Sequence, residues 1–246
     1  FKMAFFKQLP LPRMATVPKE AFKTYHAVFD QFVEKILWGL MQKKVIDGLI
    51  SPVSMGKEAN IFTAKSGNKT VIVKIYRLST CNFDRMYSFI RTDPRFPEIN
   101  RQRRKVVFAW AQREFRNLLK ARESGVRVPI PFMNKYNVLV MEMVGDEIPS
   151  PKAKDVMPKD PKAFINDIIL QMRKLYKAGL VHGDLSPFNI LNKNDQPVII
   201  DMSQSTTLED PNAQEYFTRD IKNVAAYANR IGVSLTVEQL MKKVKA

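Results

Sequence analysis

The sequence predicts an α+β chain of two lobes. Short β-like runs fill residues 48–77 and return at 138–143, helical apolar faces take over from 164, and a polar, proline-bearing connector at Gly145–Pro161 lies between the two regimes. The 246 residues are 45% hydrophobic and 26% charged, enough for at least one sizeable core in one or two domains. Disorder, collagen and coiled coil are excluded as the main state. A single cysteine, Cys81, excludes an internal disulfide framework and multi-thiolate metal sites, and fits a reducing compartment. No apolar run approaches the roughly 20 residues of a membrane span, and Phe1–Arg13, with Pro10 and Pro12, reads poorly as a signal peptide. A soluble, cytoplasmic protein without a membrane partner is therefore expected. The chain starts at Phe1, which leaves its true N-terminus open, and nothing in it fixes an oligomeric state.

Taken in order, Phe22, Tyr25, Phe29, Phe32, Ile36 and Leu40 recur at steps of three and four, one apolar face of a long helix from about Pro18 to Lys44. Gly48–Val53, Ile61–Ala64 and Thr70–Arg77 read as strands, the last two joined by the turn signal Ser-Gly-Asn-Lys at 66–69. From Leu78 to Lys105 the period is lost, Arg accumulates and Pro94 and Pro97 interrupt, which predicts a mobile loop or insert. Val107, Ala111, Phe115 and Leu118 then keep helical spacing up to Gly125. Val138–Met143 reads as a strand. Phe164, Ile168, Ile169, Met172, Leu175 and Tyr176 form a helical face ended by Gly179. Short strands follow at Val181-His182, Ile190-Leu191 and Val198–Ile200. Helices at about Asn212–Arg230 and Thr236–Val244 close the chain, the second opened by a Thr236/Gln239 capping box. The organisation predicted is an N-terminal helical extension at 1–47, a first lobe at 48–144 with an Arg-rich insert at 78–105, and a second lobe at 145–246.

The chemistry concentrates in His182-Gly-Asp-Leu-Ser-Pro-Phe-Asn189, followed by Asp201 at the end of an apolar strand. An Asp and an Asn five residues apart in a loop, with a second Asp after the next hairpin, suit phosphoryl transfer: one carboxylate orients the nucleophile, the amide and the other carboxylate hold magnesium. Singly, each would be an ordinary turn or strand-end residue; the joint order and spacing argue otherwise. Upstream, Lys74 stands among β-branched residues in Val71-Ile-Val-Lys-Ile-Tyr, a costly place for a charge unless it bridges nucleotide phosphates and a helical glutamate. Glu114 is the candidate glutamate, with Glu123 competing. Between the first two strands, Ser54-Met-Gly-Lys57-Glu-Ala-Asn60 offers one glycine, a hydroxyl and an ammonium to phosphate oxygens, though by spacing alone it fits an ordinary turn equally well.

Together these segments resemble the RIO family of atypical serine/threonine protein kinases, most closely its first subfamily in a compact, archaeal-like form. The resemblance runs from about Val45 to Asn223. It rests on Ser-Met-Gly-Lys-Glu-Ala-Asn at 54–60, Val-Lys-Ile-Tyr at 73–76, Ser-Thr-Cys-Asn-Phe at 79–83, Phe-Ala-Trp-Ala-Gln-Arg-Glu-Phe-Arg-Asn-Leu at 108–118, Leu-Val-Met-Glu at 139–142, the 182–189 loop and Ile-Ile-Asp-Met-Ser-Gln-Ser at 199–205. Met55 departs from the Thr frequent there, and Gly183 and Pro187-Phe188 lie where the family itself varies. The resemblance implies a two-lobed protein-kinase-like fold with a reduced C-lobe, ATP as ligand, and magnesium (or manganese) as metal. It implies Asp184 as the catalytic aspartate, Asn189 and Asp201 as metal ligands, and Lys74 on the α- and β-phosphates opposite Glu114. Ser54 and Lys57 would cover the triphosphate, and the Glu142 carbonyl and Val144 amide would read the adenine edge with Met141 behind it.

Three features of ordinary kinases are missing: the Arg before the catalytic aspartate, the Phe-Gly pair after Asp201, and an Ala-Pro-Glu signature in the 45 residues beyond. A wide peptide groove is not expected, and the family associates this loss with autophosphorylation and ATPase action on small ribosomal subunit precursors. Ser79, Thr80, Ser88 and Thr92 offer hydroxyls for autophosphorylation. The chain's net +16 favours a polyanion, and residues 77–122 hold twelve Lys/Arg against four Asp/Glu, half of that charge. Phe83, Tyr87, Phe89 and Phe96 interleave with these arginines, as in a stacking RNA-binding segment or as aromatics folded onto the body. With the family association, rRNA is the expected partner. A non-catalytic RNA-binding scaffold and a small-molecule phosphotransferase of the aminoglycoside or choline type are the rivals. Intact Lys74, Asp184, Asn189 and Asp201 oppose the first, and length and charge the second.

Overall fold

A computed structural model of the chain describes residues 29–246. Phe22 and Tyr25 of the expected first helix lie outside the described residues. Its described part, α1 (Gln31–Gln42), starts where the Asp30 carboxylate accepts the Val33 amide at 2.8 Å. Val33, Ile36, Leu37 and Leu40 then face the sheet.

That sheet has five strands, β1 (Gly48–Met55), β2 (Ala59–Ser66), β3 (Lys69–Tyr76), β4 (Pro131–Lys135) and β5 (Val138–Glu142), in the order β1-β2-β3-β5-β4 with every pair antiparallel. Side chains alternate across a strand, and here the alternation divides labour. On β3, Val71, Val73 and Ile75 pack with Val138 and Val140 of β5 against α1. The intervening Ile72, Lys74 and Tyr76 point the other way, as do Leu139 and Met141 of β5, which join the core of the second lobe. Strand β4 has no counterpart among the sequence expectations: Pro129 and Pro131, and the polar Asn134-Lys135, hide an apolar alternation that is only partly present.

The segment 78–105 departs from the expected mobile loop. It contains a helix, α2 (Phe83–Ile90), capped by the Asn82 side chain on the Arg85 amide at 3.2 Å and burying Met86, Phe89 and Ile90. These pack on α3 (Arg103–Glu123) through Val106, Val107 and Trp110, with Phe89 edge-on to Trp110 at 5.7 Å between ring centroids. The helical spacing of Phe83, Met86, Phe89 and Ile90 is present in the sequence but spans two turns only, and the flanking arginines and prolines mask it. The rest of the segment is braced by Asp93, which pairs with Arg95 at 2.6 Å and with the wholly buried Arg113 of α3 at 3.2 Å.

Beyond the connector, α4 (Pro161–Lys177), α5 (Ala213–Arg230) and α6 (Val237–Lys245) surround two small two-stranded pieces: β6 (Leu180–Val181) paired with β9 (Thr206–Thr207), and the β7 (Ile190–Lys193)–β8 (Gln196–Ile199) hairpin. Thr236 and Gln239 form the expected capping box on α6. The core of this lobe joins Phe164, Ile168, Met172 and Leu175 of α4 to Phe217, Ile221 and Val224 of α5 and to Leu240 and Val244 of α6. Among the described residues no helix is long and apolar enough to cross a membrane.

Candidate active site

The cleft between sheet and helices is organised by Lys74. Its place on the cleft side of β3 follows from strand alternation, and Glu114 reaches it because Val107, Ala111, Glu114, Leu118 and Ala121 share one buried face of α3. The ammonium bonds Glu114 Oε1 at 2.9 Å and Asp201 Oδ1 at 3.0 Å. Glu123, the rival partner, is exposed on the last turn of α3. Tyr76, two residues beyond Lys74 on the same face, donates its hydroxyl to Glu114 Oε2, so both carboxylate oxygens are engaged.

Burial works against every charge in this cluster; the partners outweigh it at Lys74 and Asp201, and burial prevails at Glu114 and Tyr76. Burial would lower Lys74, but the Asp201 and Glu114 carboxylates hold its pKa well above the ordinary value. Burial raises Glu114, with Lys74 opposing, and burial also raises Tyr76. For Asp201 burial is overridden by the Lys74 ammonium and the Ser203 hydroxyl, which donates at 2.7 Å, and its pKa falls to about 2. Asp201 is thus an anion at any physiological pH.

The backbone presents Asp201 in a left-handed conformation, φ 59°, at the mouth of a short 3₁₀ turn at Met202–Gln204. Asn117, fully buried on α3, holds that turn by donating to the Met202 and Ser205 carbonyls at 2.8 and 2.7 Å. The loop carrying Asp184 and Asn189 is held from below. Asp220 of α5 accepts the Gly183 amide at 2.8 Å and the Leu185 amide at 2.7 Å, Arg219 donates to the Gly183 carbonyl, and Asn223 donates to the Leu185 carbonyl at 3.0 Å. His182 accepts the Asp184 amide on Nδ1 at 3.2 Å and faces the Ile200 carbonyl with Nε2 at 3.1 Å, which places its hydrogen on Nε2. Within the loop the Asn189 amide donates to the Asp184 carbonyl at 2.9 Å and to Asp184 Oδ2 at 3.3 Å.

Asn189 Oδ1 and Asp201 Oδ2 accept no hydrogen bond among the described residues, so one amide and one carboxylate oxygen remain for a hard cation. That donor set fits magnesium, which takes one or two protein oxygens and completes its shell with phosphates and water. No group of three or more His, Cys, Asp or Glu among the described residues forms a dedicated metal cage.

The remaining expected residues are less tightly placed. Ser54 lies in β1 itself, because that strand runs on to Met55 and leaves a three-residue turn, 56–58. Ser54 and Lys57 are both exposed, and no hydrogen bond joins either side chain to the Lys74 cluster. The Lys57 carbonyl accepts the Thr80 hydroxyl at 2.9 Å, tying this turn to the start of the insert. Met141 and Val144 are buried, while the Glu142 carboxylate accepts the Ile130 amide at 3.0 Å. The Val144 amide has no hydrogen-bond partner among the described residues. Next to it Gly145, φ 147°, would place a Cβ 2.1 Å from the Ile148 carbonyl oxygen, so no other residue fits this bend.

Contributors with no counterpart in the sequence expectations include Tyr76, Asn117, Gln204 and Asp220. Strand alternation from Lys74 marks Tyr76, and a carboxylate among the apolar positions Phe217, Ile221 and Val224 marks Asp220; Asn117 and Gln204 carry no such signal.

Comparison with known proteins gives one answer at three levels. Residues 60–240 match the RIO domain. The chain is 39% identical over 230 residues to the RIO-type serine/threonine-protein kinase Rio1 of Haloferax volcanii, covering 93% of this chain and 79% of that protein. It is 40% identical over 225 residues to the protein of the same name from Methanocaldococcus jannaschii, covering 91% and 77%. Among solved structures it resembles the Rio2 kinase–ADP/Mg2+–phosphoaspartate complex from Chaetomium thermophilum, with a TM-score of 0.66 and 25% identity over 85% of this chain and 66% of that one.

Proposed function

Because the chain belongs to the RIO family of serine/threonine protein kinases, we propose that its cleft binds ATP with magnesium and transfers the γ-phosphoryl group to a Ser/Thr hydroxyl, its own included, or to water. The observation that carries this reading is the Lys74–Glu114–Asp201 cluster, with the unengaged oxygens of Asn189 and Asp201 beside Asp184. The ADP and Mg2+ of the solved Rio2 complex support the same ligands here. In this reading Lys74 exchanges part of its hold on Asp201 for the α- and β-phosphates, while Glu114, pinned by Tyr76, keeps the ammonium in place. Magnesium held by Asn189 and Asp201 would neutralise charge developing on the phosphates. Asp184 orients the attacking oxygen and receives its proton. The Val144 amide and Glu142 carbonyl face the adenine edge, and Ser54, Lys57 and the backbone of the 56–58 turn cover the phosphates.

Asp184→Ala is expected to lower ATP turnover by about 10²–10⁴-fold while nucleotide binding persists. Turnover assays with wild type and variant, beside a nucleotide-binding measurement, check this; full turnover by the variant would end the mechanism.

For the partner we propose RNA of the small ribosomal subunit precursor, on the strength of charge rather than base stacking. Arg91, Arg101, Arg103, Arg104 and Lys105 are exposed, whereas Phe89 is buried and Phe83 and Tyr87 stack on each other with Arg101 above both rings. A cytoplasmic setting belongs to the same proposal.

A further inference from the structure

Asp184 Oδ2 accepts two side-chain amides: Asn189 at 3.3 Å and, more closely, Gln204 Nε2 at 2.9 Å. Gln204 is buried, and its Oε1 accepts Arg85 Nη2 at 2.9 Å. Arg85 comes from α2 in the insert, 119 residues earlier in the chain. A glutamine amide can normally sit either way round. Between a carboxylate and a guanidinium only one orientation offers a donor to the first and an acceptor to the second. The tip of Gln204 is therefore fixed from both sides by charge.

Its backbone is fixed as well. Gln204 ends the 3₁₀ turn that Asn117 holds by two carbonyls, and Gly183 lies so close that a Cβ there would meet the Gln204 carbonyl oxygen at 2.9 Å. Asp184 Oδ1, by contrast, accepts no hydrogen bond among the described residues. The carboxylate is thus anchored by one oxygen and open at the other, which is the oxygen an acceptor hydroxyl or water would meet.

We propose that Gln204 is a positioning residue for Asp184, itself held in orientation by Arg85, so that the insert helix α2 is a working part of the phosphoryl-transfer site. This rests on the reading of Asp184 given above. Asn189 alone would leave a longer single bond, from a residue whose other side-chain atom is the one assigned to magnesium. Gln204 supplies the second, shorter bond without that obligation.

Four variants test it: Gln204→Glu, Gln204→Leu, Arg85→Met and the double Arg85→Met/Gln204→Leu, with Asp184→Ala as reference. ATP turnover, KM for ATP, nucleotide affinity and thermal midpoint are measured for each. Gln204→Glu keeps shape and puts a repelling oxygen on Asp184. It is expected to lower kcat by about 10–10²-fold, the scale of losing a partner that orients a functional group, with KM and nucleotide affinity within about twofold of wild type. Arg85→Met is expected to lower kcat by about 3–10-fold, and to add nothing in the Gln204→Leu background, since the two act as one unit. Rises in KM that match the falls in kcat, unchanged kcat in Gln204→Glu, or full additivity in the double variant would each overturn the proposal. If those appear while Asp184→Ala is inactive, only this inference fails; an active Asp184→Ala would remove its premise as well.

Discussion

Lys74 shows at the scale of one residue how this sequence becomes a site. A charge on a buried strand face is tolerated because two carboxylates from elements far apart in the chain, α3 and the segment after β8, converge on it. Lys74→Met would leave Glu114 and Asp201 facing each other without a cation. ATP turnover is expected to fall at least about 10²-fold, the scale of losing one oriented electrostatic contact, and steady-state assays check it. Asn117 matters as much for the frame. Asn117→Leu leaves the Ser205 carbonyl buried without a donor and the Met202 carbonyl with the Ser205 amide alone, at 3.2 Å, so at about 1–3 kcal/mol for an unpaired buried group the variant should lose about 1–3 kcal/mol in urea unfolding. Lys74, Asp184, Asn189 and Asp201 could be read from the chain because each announces itself locally, by a charge in a β-branched run or by spacing in a loop. Gln204 could not, since what distinguishes it is Asp184 on one side and Arg85 on the other, both remote in sequence.

Helices and strands were legible where the apolar period ran long enough, as in α3, α4 and α5, and β3 and β5 were legible as apolar runs, whereas the face each residue takes was not, because β5 is apolar on both sides. The period failed in 78–105, where eight residues of α2 sit between arginines and prolines, and where stability comes from a buried ionic brace rather than from a long apolar stripe. That brace makes its own prediction. Burial holds the Arg113 guanidinium down to about 10, and Asp93 compensates it; burial would raise Asp93, but Arg95 chiefly, then Arg113, brings its carboxyl below the ordinary 3.8. A lowered carboxylate stabilises the fold above pH 3.8, and that contribution is lost as pH falls through the lower folded value. Asp93→Asn should therefore cost about 3–5 kcal/mol at pH 7, by leaving Arg113 buried and unpaired, and progressively less below pH 3.8. Urea unfolding of both proteins across this range measures the difference.

At the scale of the whole molecule, half of the +16 charge lies in residues 77–122, the stretch that also contributes Arg85 and Glu114 to the cleft. RNA affinity is expected to fall with rising salt. Each lost cation among Arg101, Arg103 and Arg104 should flatten the log–log slope by about 0.7 for single strands, whereas Tyr87→Ala should hardly change it. The lower lobe holds the loop of Asp184 and Asn189 through Asp220, a carboxylate on a helix more than thirty residues downstream that grips two amides of that loop. The amide hydrogens of Gly183 and Leu185 consequently cannot reach solvent while α5 is seated. Their exchange with deuterium should run at the slow rate of the lobe as a unit, not at the fast rate usual for a loop, which makes them reporters of lobe opening at the heart of the cleft.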